Sequence, residues 1–410
     1  MPIQRYRRVL SSPALRQALL LGILVRMPIF AGAVVLTLHV VSSLDRSYGA
    51  AGLVSAAATI AIAVSGPWRG RLLDRLGLRR VVVPSVIVAA VCWSIAPFVG
   101  YWLLLGLAAL AGLFVIPSFS IIRQAVIAAV PEGDRRTAIS LDSVAVELSF
   151  MVGPALGVWA ATLWPTSWVL FGIEMLGVAA GILLWVANPS IREPGAQTEL
   201  GDGPAPEARA AVPRSQWFRA QFLAICLGAA ATTVVLGGSD IAIVAALRAF
   251  DAQSTIGWVL AVWGLGSLIG GLVYGGLHRS ISAFTLLAGL GLVTLPMAFA
   301  AGPMSLAALA FVAGLLCAPT ITATIDQVSR VVPASSRGEA MGWHGSFMTA
   351  GMALGAPLAG VAIDLWGWGA GFVVVALAGV VVAVVGAGAT ASRARRRRAA
   401  APTPTAPAEV

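Results

Sequence analysis

Gly70–Arg80 reads Gly-Arg-Leu-Leu-Asp-Arg-Leu-Gly-Leu-Arg-Arg and lies between two long apolar runs. It places four arginines around one carboxylate, Asp74, in a chain of 410 residues of which only 11% are charged. A charged side chain in the hydrocarbon core of a bilayer is costly, so this stretch is predicted to be a loop outside the lipid. Because an excess of Lys and Arg marks cytoplasmic loops, the loop is predicted to be cytoplasmic.

The composition is that of a polytopic membrane protein. The mean hydropathy is +0.90 and 59% of the residues are hydrophobic, whereas in soluble domains about half of the residues are apolar. All 27 basic residues are arginine, which excludes Schiff-base chemistry on a lysine. The net charge of +10 lies on the predicted loops and in Arg393–Arg398, so anionic lipid is the expected partner and nucleic acid is not. Three scattered cysteines offer neither metal spacing nor a disulfide framework.

The apolar runs predict an all-α membrane protein with twelve transmembrane helices in two pseudo-symmetric six-helix bundles. A span needs about 20 apolar residues. The predicted limits are 15–41, 49–68, 81–99, 102–129, 138–161, 166–187, 217–247, 254–277, 281–301, 304–330, 338–363 and 367–390. The first run is longer than a signal-peptide core and has no cleavage site, so it is predicted to be the first span.

The charges favour this count. With both termini in the cytoplasm, the basic clusters all fall on one side of the membrane. The connections on the other side contain Arg46 and Arg248 as their only basic residues. Residues 1–187 are then a first bundle, 188–215 a polar cytoplasmic linker, 216–391 a second bundle and 392–410 a disordered basic tail. The expected localisation is the cell membrane of a bacterium, as a monomer.

The two halves repeat at a constant offset of 202 residues. Ala111-Gly112-Leu113 matches Ala313-Gly314-Leu315, and Val130-Pro131 matches Val332-Pro333. Further matches in the same register are Pro117 with Pro319, Arg135 with Arg337, Ala138 with Ala340, and Gly153 with Gly355. One ungapped register over two helices and a loop predicts duplicated halves with a site between them.

The loop resembles the signature between the second and third helices of major facilitator superfamily transporters. The match is carried by Gly70, Asp74, Arg75, Gly77, Arg79 and Arg80. Leu78 stands where that family usually has a basic residue, and the alternative is an ordinary positive-inside turn, which leaves the glycine–acid–glycine spacing unexplained. The resemblance, nearest to bacterial drug and metabolite efflux members, implies a gating loop in which Asp74 contacts neighbouring positive charge and the amino-terminal end of span eleven near Gly338.

A second motif lies in span five. Gly153-Pro154-Ala155-Leu156-Gly157 resembles the core of the Gly-Pro-rich motif of the family's antiporters, although Val158 replaces its final glycine. The related run Gly351–Gly360 in span eleven, which includes Gly355 and Pro357, favours a packing role for both segments. The motif therefore gives only partial support for antiport.

Ionisable residues inside predicted spans are candidates for function. Arg26 lies about 16 Å into the first span at 1.5 Å per residue, where it is expected either to face a central cavity or to form a structural ion pair. Buried carboxyl groups have raised pKa values and bind protons near neutral pH, unless an arginine pairs with them. The candidates for proton coupling or substrate binding are Glu147, Asp240, Glu174, Asp326 and His344. The family's mid-membrane arginine in span four is missing, since Arg123 lies toward the cytoplasmic end; Arg26 is expected to supply that charge instead.

The sequence thus predicts a secondary active transporter that moves a small organic compound by alternating access, as a proton-coupled efflux antiporter. The alternative is a proton symporter or facilitator for a small metabolite, anionic if Arg26 is a ligand. A membrane enzyme or receptor is disfavoured because no nucleotide loop, metal cluster or nucleophile–base motif is present. No cofactor is expected, and the absence of a phosphate-binding loop leaves an ion gradient as the energy source.

Overall fold

The computed structural model describes residues 2–191, 213–277 and 280–399, and all secondary structure assigned in these ranges is helical. The helices of the first half are α1 Pro2–Leu10, α2 Pro13–Ser42, α3 Tyr48–Leu76, α4 Leu78–Ile95, α5 Tyr101–Leu113, α6 Ser118–Ala128, α7 Arg135–Leu163 and α8 Thr166–Ala187. Those of the second half are α9 Arg214–Trp217, α10 Ala220–Ala249, α11 Ile256–Gly276, α12 Ala283–Thr294, α13 Pro303–Val331, α14 Arg337–Trp366 and α15 Trp368–Ala399. Short 3₁₀ turns join several of them.

Within the described ranges, 11 helical segments are long and apolar enough to cross a membrane. In the region of the predicted span 281–301, the helix is too short to be counted among them. Helix α12 ends at Thr294 and continues only as the 3₁₀ turn Leu295–Phe299. Pro296 lies in this turn, and its nitrogen has no hydrogen to donate to the carbonyl four residues earlier. The predicted twelve helices are therefore not all reproduced as full-length spans.

The predicted span 102–129 is interrupted. Helix α5 ends at Leu113 and α6 begins at Ser118, with Pro117 at the start of the second helix. Proline has no amide hydrogen and its ring clashes with the carbonyl four residues earlier, which breaks a helix unless its neighbours compensate. The corresponding Pro319 lies inside the continuous helix α13, so the duplicated halves differ at this point.

Both ends of the chain and the linker differ from expectation. Helix α1 lies before the first predicted span, and α15 continues to Ala399, so residues 392–399 of the predicted disordered tail are helical. Most of the predicted linker, 192–212, and the tail residues 400–410 lie outside the described residues.

Equivalent helices pack alike in the two halves. Helix α2 packs against α7 and α8, as α10 packs against α14 and α15. Between the halves, α3 packs on α14, and α7 packs on α11 and α13. Large apolar side chains such as Trp102, Leu176 and Leu354 point outward from the bundle, as expected of a surface that meets lipid, since helices satisfy their own backbone hydrogen bonds there.

Candidate functional site

The two halves meet along a seam at the end of the bundle that carries Arg75, Arg135 and Arg337, here called the arginine-rich end. Helix α3 crosses α14 there, and the crossing is built from glycines spaced by four residues on each helix. A Cβ atom on Gly70 would overlap the carbonyl oxygen of Gly338. The glycines at the crossing are Gly66 and Gly70 on α3, and Gly338 and Gly342 on α14. Such Gly-x-x-x-Gly spacing lets two helix backbones approach closely, and that spacing in the sequence could have identified Gly66, Gly338 and Gly342, which our prediction did not include as a set.

Asp74 caps α14 across this crossing. Its Oδ1 accepts a hydrogen bond from the amide of Gly338 at 2.8 Å, and its Oδ2 accepts one from the amide of Glu339 at 2.8 Å. The first amides of a helix have no partner within the helix, and the positive end of the helix dipole favours a carboxylate. Glu339 in turn forms ion pairs with Arg71, at 3.8 Å, and with Arg214. The contact expected between Asp74 and the start of span eleven is therefore present.

The rest of the Gly70–Arg80 stretch shapes the turn between α3 and α4. Gly77 has φ +79°, a conformation that favours glycine, and its amide donates to Leu73 at 3.0 Å. Leu78 is buried, which accounts for the apolar residue where the family usually has a basic one. The guanidinium of Arg79 lies 5.5 Å from the ring centre of Trp185. Arg75 and Arg80 are exposed.

A second part of the seam joins α7 to α11, with α1 lying against both. The hydroxyl of Thr137 donates to the carbonyl of Gly275 at 2.6 Å, and that of Ser140 donates to Gly271. Tyr6 on α1 donates its hydroxyl to the carbonyl of Leu272. Burial raises the pKa of Tyr6 above its ordinary value of 10.0, so this hydroxyl keeps its proton at neutral pH. No comparable packing joins α2 to α10 in the described part of the chain, so the extended contacts between halves lie toward the arginine-rich end.

Arg26 forms a buried ion pair within the first half. Its Nη1 lies 2.5 Å from Oδ1 of Asp142 and its Nη2 lies 3.3 Å from Oδ2. The two side chains are 0% and 2% exposed. Of the two expectations for Arg26, the structural ion pair is the one that the structure contains. Asp142 was not among the predicted site residues, although a buried arginine needs a carboxylate and Asp142 was available in span five.

Arg123 is another buried arginine, and our prediction gave it no role. It is 5% exposed, and its Nη1 lies 3.5 Å from Nδ1 of His344, on α14 of the other half. The hydroxyl of Thr324 donates to a backbone carbonyl and so accepts from Nε2 of His344, at 3.0 Å. This assignment leaves Nδ1 of His344 as the acceptor for Arg123, which requires a neutral imidazole. The guanidinium carbons of Arg26 and Arg123 lie 4.8 and 5.5 Å from the centre of the Phe119 ring.

Glu147 and Asp240 lie on helices of opposite halves. Glu147 lies on α7 about 18 Å from its first residue, and Asp240 lies on α10. Both are half-buried, and their charges act on each other. Cys317 on α13 lies within electrostatic reach of both carboxyl groups. Neither carboxylate forms an ion pair with a described residue. Of the predicted candidates, these two are the carboxylates from different halves whose charges act on each other.

The other two predicted carboxylates lie elsewhere. Glu174 on α8 has its carboxylate against Gly32 of α2, within the first half. Asp326 lies near the end of α13 and forms an ion pair with Arg330, one turn later, at 3.0 Å. The structure therefore separates the predicted set into the central pair Glu147 and Asp240, and groups that lie in other environments.

The glycine–proline segments lie where equivalent helices touch. A Cβ on Gly153 would lie 2.7 Å from the carbonyl oxygen of Met27 on α2, and one on Gly355 would lie 2.5 Å from that of Val234 on α10. Gly157 and Gly351 likewise face α2 and α10. Pro154 and Pro357 lie inside α7 and α14. Both segments thus bring a long helix close to its neighbour in the same half.

Comparisons with known proteins agree with this architecture. The sequence matches the profile of the Major Facilitator Superfamily over residues 18–247 and 226–410. No curated protein sequence matches the chain. Among solved structures, a bacterial homologue of the iron transporter ferroportin in an outward-facing state is similar, with a TM-score of 0.74 and 15% identity. That match covers 92% of this chain and 99% of the homologue.

Two further solved structures are similar in fold. The human organic anion transporter MFSD10 has a TM-score of 0.63 and 16% identity, with 93% of this chain and 99% of that chain covered. The proton:xylose symporter XylE has a TM-score of 0.67 and 13% identity, with 91% and 95% covered. At sequence identities this low, the similarity shows a shared fold and does not identify the substrate.

Proposed function

Because the chain belongs to the Major Facilitator Superfamily, and is therefore a membrane transporter rather than an enzyme, we propose that it is a proton-coupled antiporter. It exports a small organic compound by alternating access between two six-helix bundles. The arginine-rich end faces the cytoplasm, both termini are cytoplasmic and the membrane is the bacterial plasma membrane, in accord with the positive-inside rule. The apolar segment Ala283–Phe299 is the twelfth crossing, shorter than the others.

The observation that carries this proposal is the combination of a closed seam with two carboxylates from opposite halves beyond it. Asp74, the glycine crossing and the contacts between α7 and α11 hold the cytoplasmic side shut. Glu147 and Asp240 remain half-buried between the halves. A group that binds a proton while open to one side, and releases it after the halves rock, couples transport to the proton gradient.

The alternative, symport or facilitated transport of an anionic metabolite, depended on Arg26 being free to bind a ligand. Asp142 neutralises Arg26 in a fully buried pair. The carboxyl groups of Glu147 and Asp240 are then the charges best placed to take part in coupling. Proton antiport accounts for two unpaired carboxylates, whereas binding of an anion between them does not.

The proposal is tested by transport in proteoliposomes with an imposed pH gradient. The probes are ethidium, chloramphenicol and carboxyfluorescein, which are a cation, a neutral compound and an anion. We expect the gradient to drive at least one of them in exchange for protons. A pH-sensitive dye inside the vesicles reports the proton movement. Glu147→Gln and Asp240→Asn should abolish the coupling.

The matched control is Asp251→Asn, in the exposed turn after α10, which should retain the wild-type rate. Movement of every probe at the same rate with and without the gradient would exclude gradient-driven export. Full coupled flux in both carboxyl variants would remove Glu147 and Asp240 from the mechanism.

A further inference from the structure

Helix α1, which precedes the first span, is docked on the rest of the protein. Val9 is 3% exposed and belongs to an apolar cluster of the first half that also contains Leu15, Leu78 and Val130. Arg7, by contrast, is exposed. Burial of an apolar side chain is favourable by about 1.5–3 kcal/mol for a residue the size of valine, so α1 is held on one side and faces outward on the other.

Polar contacts also fasten α1 to the first half. Nε of Arg5 lies 3.5 Å from Oδ1 of Asp134, the residue directly before α7. The hydroxyl of Ser12, which follows α1, donates to the carbonyl of Ala129 at 3.2 Å. Because the apolar cluster, the ion pair and this hydrogen bond all involve residues of the first half, α1 is expected to move with that half.

Two side chains of α1 reach across to the end of α11 in the second half. Nη1 of Arg5 donates to the carbonyl of Leu277 at 3.0 Å, and the hydroxyl of Tyr6 donates to that of Leu272. The carbonyls at the end of a helix lack partners within it, and positive charge is favourable there. The last turn of α11 contains no basic residue of its own. Helix α1 therefore supplies that charge from the other half.

Gly275 leaves room for this contact. A Cβ atom on Gly275 would lie 2.5 Å from the hydroxyl oxygen of Tyr6 and 2.6 Å from Cβ of Ser140 on α7. The hydroxyl of Ser140 in turn donates to the carbonyl of Gly271. Helices α1, α7 and α11 thus meet at one point of the seam, where Tyr6 touches the second half beside a direct contact between the halves.

This crossing lacks the carboxylate cap found where α3 crosses α14. There, Asp74 on α3 accepts hydrogen bonds from two amides at the start of α14, whereas α11, the counterpart of α3, contains no Asp or Glu. At the offset of 202 residues that relates the halves, Gly338 and Gly342 on α14 correspond to Arg136 and Ser140 on α7. Side chains therefore stand where glycines allow the closest approach of two helices. The polar contacts of α1 are made at the crossing that has no such cap.

From these contacts we propose that α1 is an autoinhibitory strap. It is fixed to the first half and holds the end of α11, so its bonds to Leu272 and Leu277 must break when the arginine-rich end opens. The strap opposes opening and lowers its rate. This inference rests on the rocking of two halves in the proposed function, and it concerns a helix that binds neither substrate nor proton.

The test measures how fast the seam opens in the purified full-length protein in detergent, with no substrate and no gradient. The reporter is Ser346→Cys on α14, in a protein whose three native cysteines are replaced by alanine, and its alkylation by a bulky maleimide is followed. Ser346 lies at the crossing of α3 with α14, whereas α1 packs on α2, α7 and α11. Faster labelling therefore reports opening of the seam rather than exposure of a residue that α1 covers.

Tyr6→Phe removes only the hydroxyl, and Arg5→Gln removes the charge. Each should accelerate labelling roughly fivefold, as expected from the loss of one hydrogen bond. Deletion of residues 2–10 should accelerate it by about tenfold or more. The matched control is Arg7→Gln, which removes an exposed arginine of the same helix and should label at the rate of the unmodified reporter protein.

Unchanged labelling in Tyr6→Phe, Arg5→Gln and the deletion variant would overturn the proposal, as would equal acceleration by Arg7→Gln and Arg5→Gln. A thermal melt identifies any variant that fails to fold, and if the deletion variant is unstable, the two point variants decide. If these open faster but the pH gradient moves no probe in proteoliposomes, the transport proposal fails and the strap stands. If the gradient drives a probe while both point variants open at the unmodified rate, the strap fails and antiport stands.

Discussion

Arg26 illustrates how a single residue is interpreted differently once its partner is known. An arginine near the middle of a span is costly unless an anion accompanies it, and the accompanying anion is Asp142, 116 residues later in the chain. The pair joins α2 to α7 within one half, so it holds that half together. Its role is structural, and the proposed proton exchange is assigned to Glu147 and Asp240.

Asp142→Asn is expected to leave the buried guanidinium of Arg26 without a charge partner. Loss of one member of a buried ion pair lowers stability by about 3–5 kcal/mol, and this should appear as a lower melting temperature of the purified protein. The control Glu132→Gln removes an ion pair whose carboxylate is 77% exposed, and it should leave the melt unchanged. An apolar double replacement, Arg26→Met with Asp142→Leu, should restore much of the loss; if it melts as low as Asp142→Asn, the pair is not what stabilises α2 against α7.

Asp74→Asn should slow turnover and leave substrate affinity unchanged. The amide retains one acceptor for the α14 amides but loses the charge that interacts with the helix dipole, an effect of up to about 2 kcal/mol in a partly buried geometry. The measurement is the rate of gradient-driven exchange beside the dissociation constant for the probe that the protein transports. Asp74→Glu, which keeps the charge, is the control. Normal turnover with lost affinity would contradict a gating role.

At the scale of elements, the crossing of α3 and α14 depends on the absence of side chains. Gly70 and Gly338 allow backbone contact that no other residue permits, because a Cβ on either would meet the backbone of the partner helix. Pro117 shows the opposite effect, since it interrupts a span that the apolar pattern alone predicts as continuous. In both cases a residue with special backbone properties decides the element's shape.

Gly70→Ala is expected to separate α3 from α14 and open the cytoplasmic seam. The reporter is Ser346→Cys, since Ser346 donates across the seam to the carbonyl of Ala63 at 2.6 Å; the native Cys92, Cys226 and Cys317 are replaced by alanine. Alkylation of the reporter by an impermeant maleimide, from the cytoplasmic side, should accelerate roughly tenfold, the effect of about 1.4 kcal/mol on the opening equilibrium. Gly133→Ala, where a Cβ meets open space, is the control. Equal labelling rates in the two variants would show that the crossing tolerates a methyl group.

At the scale of the whole molecule, two similar bundles are joined along their arginine-rich ends. The contacts of α3 with α14 and of α7 with α11 are the ones that must break for the arginine-rich end to open. Helix α1 adds to this seam through the hydroxyl of Tyr6. The molecule is therefore shaped as two lobes closed on one side.

A covalent bond across the seam should stop transport. A Cβ at Gly271 on α11 would lie 3.4 Å from Val144 Cγ2 on α7, so the double variant Val144→Cys with Gly271→Cys places two sulfurs within disulfide reach. Oxidation should abolish exchange, and a reductant should restore it, while the transported probe still binds. The controls are the single variants Val144→Cys and Gly271→Cys, which cannot form this bond and should keep exchange under the same oxidant. Full exchange by the oxidised Val144–Gly271 variant would contradict opening at this seam.

The sequence by itself determined the membrane class, the duplicated halves, most of the helix limits and the loop around Asp74. These follow from hydropathy, charge and glycine spacing, which act locally and can be read along the chain. The relations between distant charged groups depend on the tertiary structure. Arg26 forms an ion pair with Asp142, Arg123 hydrogen-bonds to His344, and the charges of Glu147 and Asp240 act on each other. Such pairings depend on how each helix is rotated and packed against distant helices, because an apolar span presents the same hydropathy whichever face it turns inward.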